Sequence, residues 1–135
     1  MTGGFIDWRV LFWSGAGRAP RTAFWIGAGA VFLVSALYEA LSSPTIKVIT
    51  FWFMYPLMWW AAACVVAKRL HDRGRSGWWA ALILLALALV WPEVRPQWSV
   101  LAAPVLLWSL VELAILPGEE GANRFGPSPL AAQPA

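Results

Sequence analysis

His71 and Asp72 stand side by side in the stretch Lys68-Arg69-Leu70-His71-Asp72-Arg73-Gly74-Arg75-Ser76-Gly77, which holds most of the mid-chain polar chemistry between two long apolar runs. A histidine beside a carboxylate invites a general-base reading, and these two residues would centre a lipid-modifying enzyme. A general base needs a reacting partner and usually a third group that orients it. Neighbours on a helix point about 100° apart, so Asp72 does not obviously orient His71. His71 is the single histidine and Cys64 the single cysteine. That excludes an internal disulfide and leaves too few ligands for a zinc site. No Gly-x-Ser-x-Gly, His-Glu-x-x-His or phosphate-loop motif occurs. Catalysis is the weakest of three readings, and no catalytic residue, metal ligand or cofactor is assigned.

Charge recognition is better supported. Lys68, Arg69, His71, Arg73 and Arg75, edged by Trp78 and Trp79, make a basic site for anionic lipid head groups or an acidic partner. Positive loops on the inner side of a membrane are the rule, so the same residues also read as a topology anchor, and that is the commoner case. Asp72 is disfavoured by the dipole at a helix C-terminus and needs a cation. Lys68 and Arg69, four and three residues back, are within helical reach of it. Ser76 is set to cap the next helix, and Gly74 and Gly77 let the chain reverse. Glu112 is the acid well inside an apolar run. Such acids are functional suspects, but so near the end of its run it is expected to snorkel or pair with a loop cation such as Arg69. The second reading, a small transporter or channel subunit, would use Glu112 with helices kinked at Pro56 and Pro104.

The elements that position these residues follow from composition. The 135 residues are 60% hydrophobic and 13% charged, against roughly 25% charged in a soluble domain. A water-soluble fold of this size cannot hide that much apolar surface. The pattern predicts an all-α integral membrane protein with four transmembrane helices: Ala23–Leu41, Val48–Ala67, Trp78–Trp91 and Trp98–Leu116. The second covers about 30 Å, a full hydrocarbon core, whereas the third covers only about 21 Å. Four crossings put Arg9, Arg18, Arg21, Lys68, Arg69, Arg73, Arg75 and Arg124 on one side, eight of the ten basic residues. Positive-inside bias makes that side cytoplasmic, with both termini on it. Of the eleven tryptophans, Trp59, Trp60 and Trp108 lie deep and are expected to pack between helices. Residues 1–22 carry Asp7, Arg9, Arg18 and Arg21 and do not read as a cleavable signal. Phe5, Trp8 and Phe12 share one helical face, which suggests an interfacial helix. The segment from Pro117, rich in Pro, Gly and Ala, is expected to be a mostly irregular cytoplasmic tail. Small residues at Ala23, Gly27, Ala63 and Ala67 offer faces for close helix packing, within the chain or in a homo-oligomer.

Three separated motifs add up to a resemblance. Gly17-Arg18-Ala19-Pro20-Arg21-Thr22-Ala23-Phe24-Trp25 resembles a Gly-Arg-x-x-Arg-x-x-Phe-Trp entry motif. Arg69 to Trp79 resembles an Arg-Leu-His-Asp-x-(Gly/Asn)-(Lys/Arg)-Ser-Gly-Trp-Trp signature, and Gly121 to Pro129 a closing Gly-x-Asn-x-(Tyr/Phe)-Gly-x-x-Pro. Together they are similar to the domain-of-unknown-function 805 group, the YhaH/YhaI-like bacterial inner-membrane proteins, over nearly the whole chain. The resemblance implies a small polytopic inner-membrane protein and supplies no activity. It puts weight on the three motifs, which are expected to form one site: Arg18, Arg21, Arg69, His71, Asp72 and Arg75, joined by Asn123 and Arg124 from the tail. Asn123 is expected to satisfy exposed backbone groups, and Gly126 to permit a turn. The leading function is a non-enzymatic scaffold or accessory subunit. Its partners would be anionic lipids, a membrane protein or a second copy, with no nucleic acid.

Overall fold

A computed structural model describes residues 7–130. Its elements are all helical: α1 (Trp8–Trp13), α2 (Arg21–Leu41), α3 (Pro44–Asp72), α4 (Trp79–Ala88), α5 (Pro96–Ser109) and a π-helical turn, Leu110–Ile115, continuous with α5. Three helices are long and apolar enough to cross a membrane: α2, α3, and α5 with its π turn. Their outer faces carry exposed Phe32, Leu33, Val48, Trp52, Leu101 and Leu107, an apolar surface that water would not tolerate but lipid does.

Local chemistry sets the ends. The Asp7 carboxylate accepts the Arg9 and Val10 amides and starts α1; Phe5 falls outside the described residues. Trp8 and Phe12 stack at 6.2 Å, while Leu11 on another face is buried. The Ser43 hydroxyl accepts the Ile46 amide, with Pro44 as first residue of α3. Proline suits that position because its missing N–H would have no helical partner. This signal starts α3 at Pro44, ahead of the predicted Val48, and the helix runs on through the basic motif to Asp72. Gly74, at φ 69°, turns the chain. α4 is shorter than predicted, about 15 Å at helical rise. Pro92 disfavours helical backbone at Trp91 and so limits its far end.

α3 is the centre of the bundle: α1, α2 and α4 all pack on it, α5 packs on α4, and the π turn closes back onto α2 and α3. Gly27 of α2 permits the tightest approach, since a Cβ there would lie 3.1 Å from both Leu11 and Val65. The core gathers Leu11, Phe24, Val65, Leu70, Ile83 and Leu113. Trp59 is partly buried and Trp108 packs on that core, as expected, but Trp60 points outward and is 53% exposed. The C-terminus of α3, the start of α4 and the π turn meet at one end, here called the basic end.

Candidate functional site: a cation clasp at the basic end

The last four carbonyls of a helix lack intrahelical donors, and the π turn shifts its bonding to i→i+5, as in the Leu116 amide on the Val111 carbonyl at 3.0 Å. Five successive carbonyls at this end are each met by a side chain. Arg69 Nε donates to Leu113 at 2.8 Å and its Nη2 to Leu116 at 2.6 Å. Trp25 Nε1 takes Ala114 at 3.2 Å and Arg21 takes Ile115 at 2.8 Å. Arg73 takes Pro117 at 2.6 Å. Cations here also favour the negative end of the helix dipole.

Arg69 is fully buried and its remaining Nη1 pairs with Asp72. Arg18, from the loop before α2, holds the other carboxylate oxygen at 3.0 Å. The rest of its guanidinium binds the tail, donating to the carbonyls of Glu119 and Gly121 at 2.7 Å each. One buried carboxylate thus joins the entry motif to the central motif, and Arg18 joins both to the closing one. Glu119 N donates to the Asp72 carbonyl at 2.8 Å. Gly118 packs so closely over Asp72 that a Cβ would collide with the carboxylate, and one on Gly74 would collide with Glu119.

Asn123 Nδ2 donates to the His71 carbonyl at 2.9 Å and to Glu119 Oε2 at 2.8 Å, while its Oδ1 accepts the Phe125 amide at 2.9 Å. Gly126, at φ 129°, completes the turn, paired with Asn123 through both backbone bonds. The described part of the tail, 117–130, has no helix or regular strand, as composition suggests, yet it is folded over the basic end by these bonds. The His71 ring stacks on Phe125 at 3.9 Å with planes 10° apart. Its Nδ1 faces the Gly17 carbonyl at 3.0 Å, which requires that nitrogen to carry the proton. Asp72 does not orient His71.

Several expected contacts take different partners. Glu112 is buried and pairs with Arg73 at 3.2 Å and Arg75 at 2.6 Å, not with Arg69. Lys68 does not reach Asp72 but donates to the Val10 carbonyl, tying α1 down. Ser76 accepts the Trp78 amide at 3.4 Å and lies too early to cap α4, whose N-cap is Trp78. Arg75 lies over the Trp108 ring at 5.6 Å, with 42% of its side chain exposed. Trp78 is 85% exposed and Trp79 44%. Arg124 is exposed and lies over Phe125 at 4.6 Å. Among the described residues, no buried side-chain nitrogen or oxygen lacks a partner. The clasp is thus internally satisfied, and its exposed rim includes Arg21, Arg75, Trp78, Trp79 and Arg124, with the acids Glu119 and Glu120 on the tail. A second polar group at the opposite end joins Glu39 to Lys47 at 2.7 Å and to Tyr55. Glu39 and Lys47 both fall near that end by sequence, but Tyr55 lies on a different helix from Glu39, and only the packing of α2 on α3 brings the two together.

The model of the family described as "Protein of unknown function (DUF805)" matches residues 12–127, a span that contains the first two motifs whole, the third up to Pro127, and the clasp they build. This chain belongs to the DUF805 family. Among relatives of this DUF805 protein, the uncharacterized protein YiiR of Escherichia coli K12 is 34% identical over 120 residues, covering 82% of each chain. The inner membrane protein YhaH of the same organism is 28% identical over 126 residues, 93% of this chain and 76% of YhaH. No solved structure gives a significant match. The DUF805 chain is thus a membrane protein of an uncharacterised family, with the family's motifs gathered at one end of its bundle.

Proposed function

We propose that this DUF805 protein is a non-enzymatic scaffold or accessory subunit of the bacterial inner membrane, and that its basic end is cytoplasmic and holds anionic lipid head groups. The positive-inside rule gives the orientation. The observation that carries the reading is the division of the cations. Arg18 and Arg69 are consumed inside the clasp, whereas Arg21, Arg75 and Arg124 stay exposed at the same end of the bundle as the exposed Trp78. Arginine with interfacial tryptophan is the chemistry of head-group phosphate at a membrane boundary. The engagement of His71 with Phe125 and of Glu112 with two arginines supports structural roles for both, which weighs against the enzyme and transporter readings. The test is native mass spectrometry of the protein extracted in its own lipids. Retained phosphatidylglycerol or cardiolipin that falls away in Arg75→Ala/Arg124→Ala, with the helical content retained, supports the reading. Equal retention in that variant overturns it.

A further inference from the structure

Below the clasp, a cavity of about 170 Å³ lies between α2, α3 and α4. Its walls include Ala28, Phe32, Trp59, Ala62, Leu87 and Trp91. Two hydroxyls reach it, and both are already bonded: Ser35 to the Val31 carbonyl at 2.8 Å, and Tyr55 to Glu39. Apart from these and the indoles of Trp59 and Trp91, no lining side chain carries a nitrogen or oxygen. Apolar cavities of about 150 Å³ stay dry and admit small hydrocarbons. A helix, roughly 10 Å across with its side chains, is too thick to enter; a polymethylene chain is not.

The cavity has a roof and an unclosed side. Its wall residues on α2 and α3 continue upward, at helical spacing, to Trp25, Arg21 and Arg69, which clamp the π turn. The bundle is therefore shut at the basic end, and the cavity does not lead through to it. Farther down, two of its wall residues, Phe32 on α2 and Leu87 on α4, are also exposed on the outer surface. On a chain whose outer faces are built for lipid, that edge opens to hydrocarbon.

We infer that this cavity is a binding site for one hydrocarbon chain of a bilayer lipid, entering sideways past Phe32 and Leu87 between α2 and α4. Recognition is by shape and apolar burial, so it does not depend on the rim proposed above. The test uses the full chain in nanodiscs of phosphatidylethanolamine with a minor share of phosphatidylglycerol, each lipid supplied in turn with a photoreactive diazirine on its acyl chain. Cross-links are mapped by peptide mass spectrometry. The expected result is labelling concentrated on Trp59, Ala62 and Ile83 over the outward Trp52 and Leu101, equal for the two head groups. Ala62→Phe fills the cavity and should cut wall labelling about tenfold, the effect of losing two buried methylenes, leaving outward labelling unchanged. Ala28→Leu does the same from the opposite wall should Ala62→Phe fail to fold. Even labelling over wall and outward residues, or wall labelling that survives both variants, overturns the site. So does a wall protected by cross-links between two copies of the chain.

Discussion

Arg69 does with one side chain what three residues would otherwise have to do: two of its nitrogens meet helix carbonyls and the third meets Asp72. Only a planar fork with several fixed donors can do this, and a lysine ammonium cannot. Arg69→Ala should destabilise the protein by about 3–5 kcal/mol, since it leaves a buried carboxylate and two carbonyls short of donors. Arg69→Lys should recover little of that; thermal melting in detergent reads both. The exchanged pair Arg69→Asp/Asp72→Arg should also stay unstable. A swap restores one ion pair but not the Leu113 and Leu116 bonds or the Arg18 contact. Recovery of the wild-type melting temperature in the swapped protein would mean the carbonyl contacts carry no weight. By contrast, Arg75→Ala removes a partly exposed pair and should cost no more than about 1 kcal/mol.

At the level of elements, two glycines of α2 make a matched experiment. Gly27 faces Leu11 and Val65, whereas Gly29 has nothing within 4 Å of the position a Cβ would take. Gly27→Leu should separate α2 from α1 and α3 and lower the melting temperature, by a change of about 1–3 kcal/mol, the usual cost of overpacking. Gly29→Leu should be neutral. Equal effects would show that the α2–α3 packing is not as close as described. Gly118→Ala tests the tail in the same way. Its new methyl would displace either the tail or the Asp72 carboxylate, so proteolysis after Leu116 should accelerate while the helices stay protected.

For the molecule as a whole, the proposed orientation predicts sided labelling. Cys64 is buried, so single cysteines can be added without a bright background. Ser76→Cys and Ala122→Cys should react only from the cytoplasmic side of inverted vesicles, and Thr45→Cys only from the other. Labelling of Ala122→Cys and Thr45→Cys from the same side would overturn the reading of both termini as cytoplasmic and force an odd number of crossings. The clasp further predicts that the motifs act as one unit. Deleting residues after Leu116 should weaken the basic end about as much as Arg18→Ala, and combining the two changes should add little, because residues in one network are not independent.

The sequence by itself determined the solvent and the elements. Apolar runs with few charges read as membrane helices and Gly74 as a turn, whereas the apolar pattern alone misplaces the start of α3 and the end of α4, which Ser43-Pro44 and Trp91-Pro92 limit. It also marked the basic motif, because charge in such a chain is rare enough to stand out. Pairings were legible only where they were local: Arg69 with Asp72 lies three residues apart on one helix. The long-range partners were not legible. Arg18 meets Asp72 across 54 positions and Glu119 across 101, and nothing in the chain prefers Arg75 over Arg69 for Glu112. Those choices depend on which helix face is buried and on the π turn, which rotates the last carbonyls toward α2 and α3. Only the tertiary structure could divide the cations into those that hold the bundle shut and those left exposed, because burial is a property of packing and not of residue type.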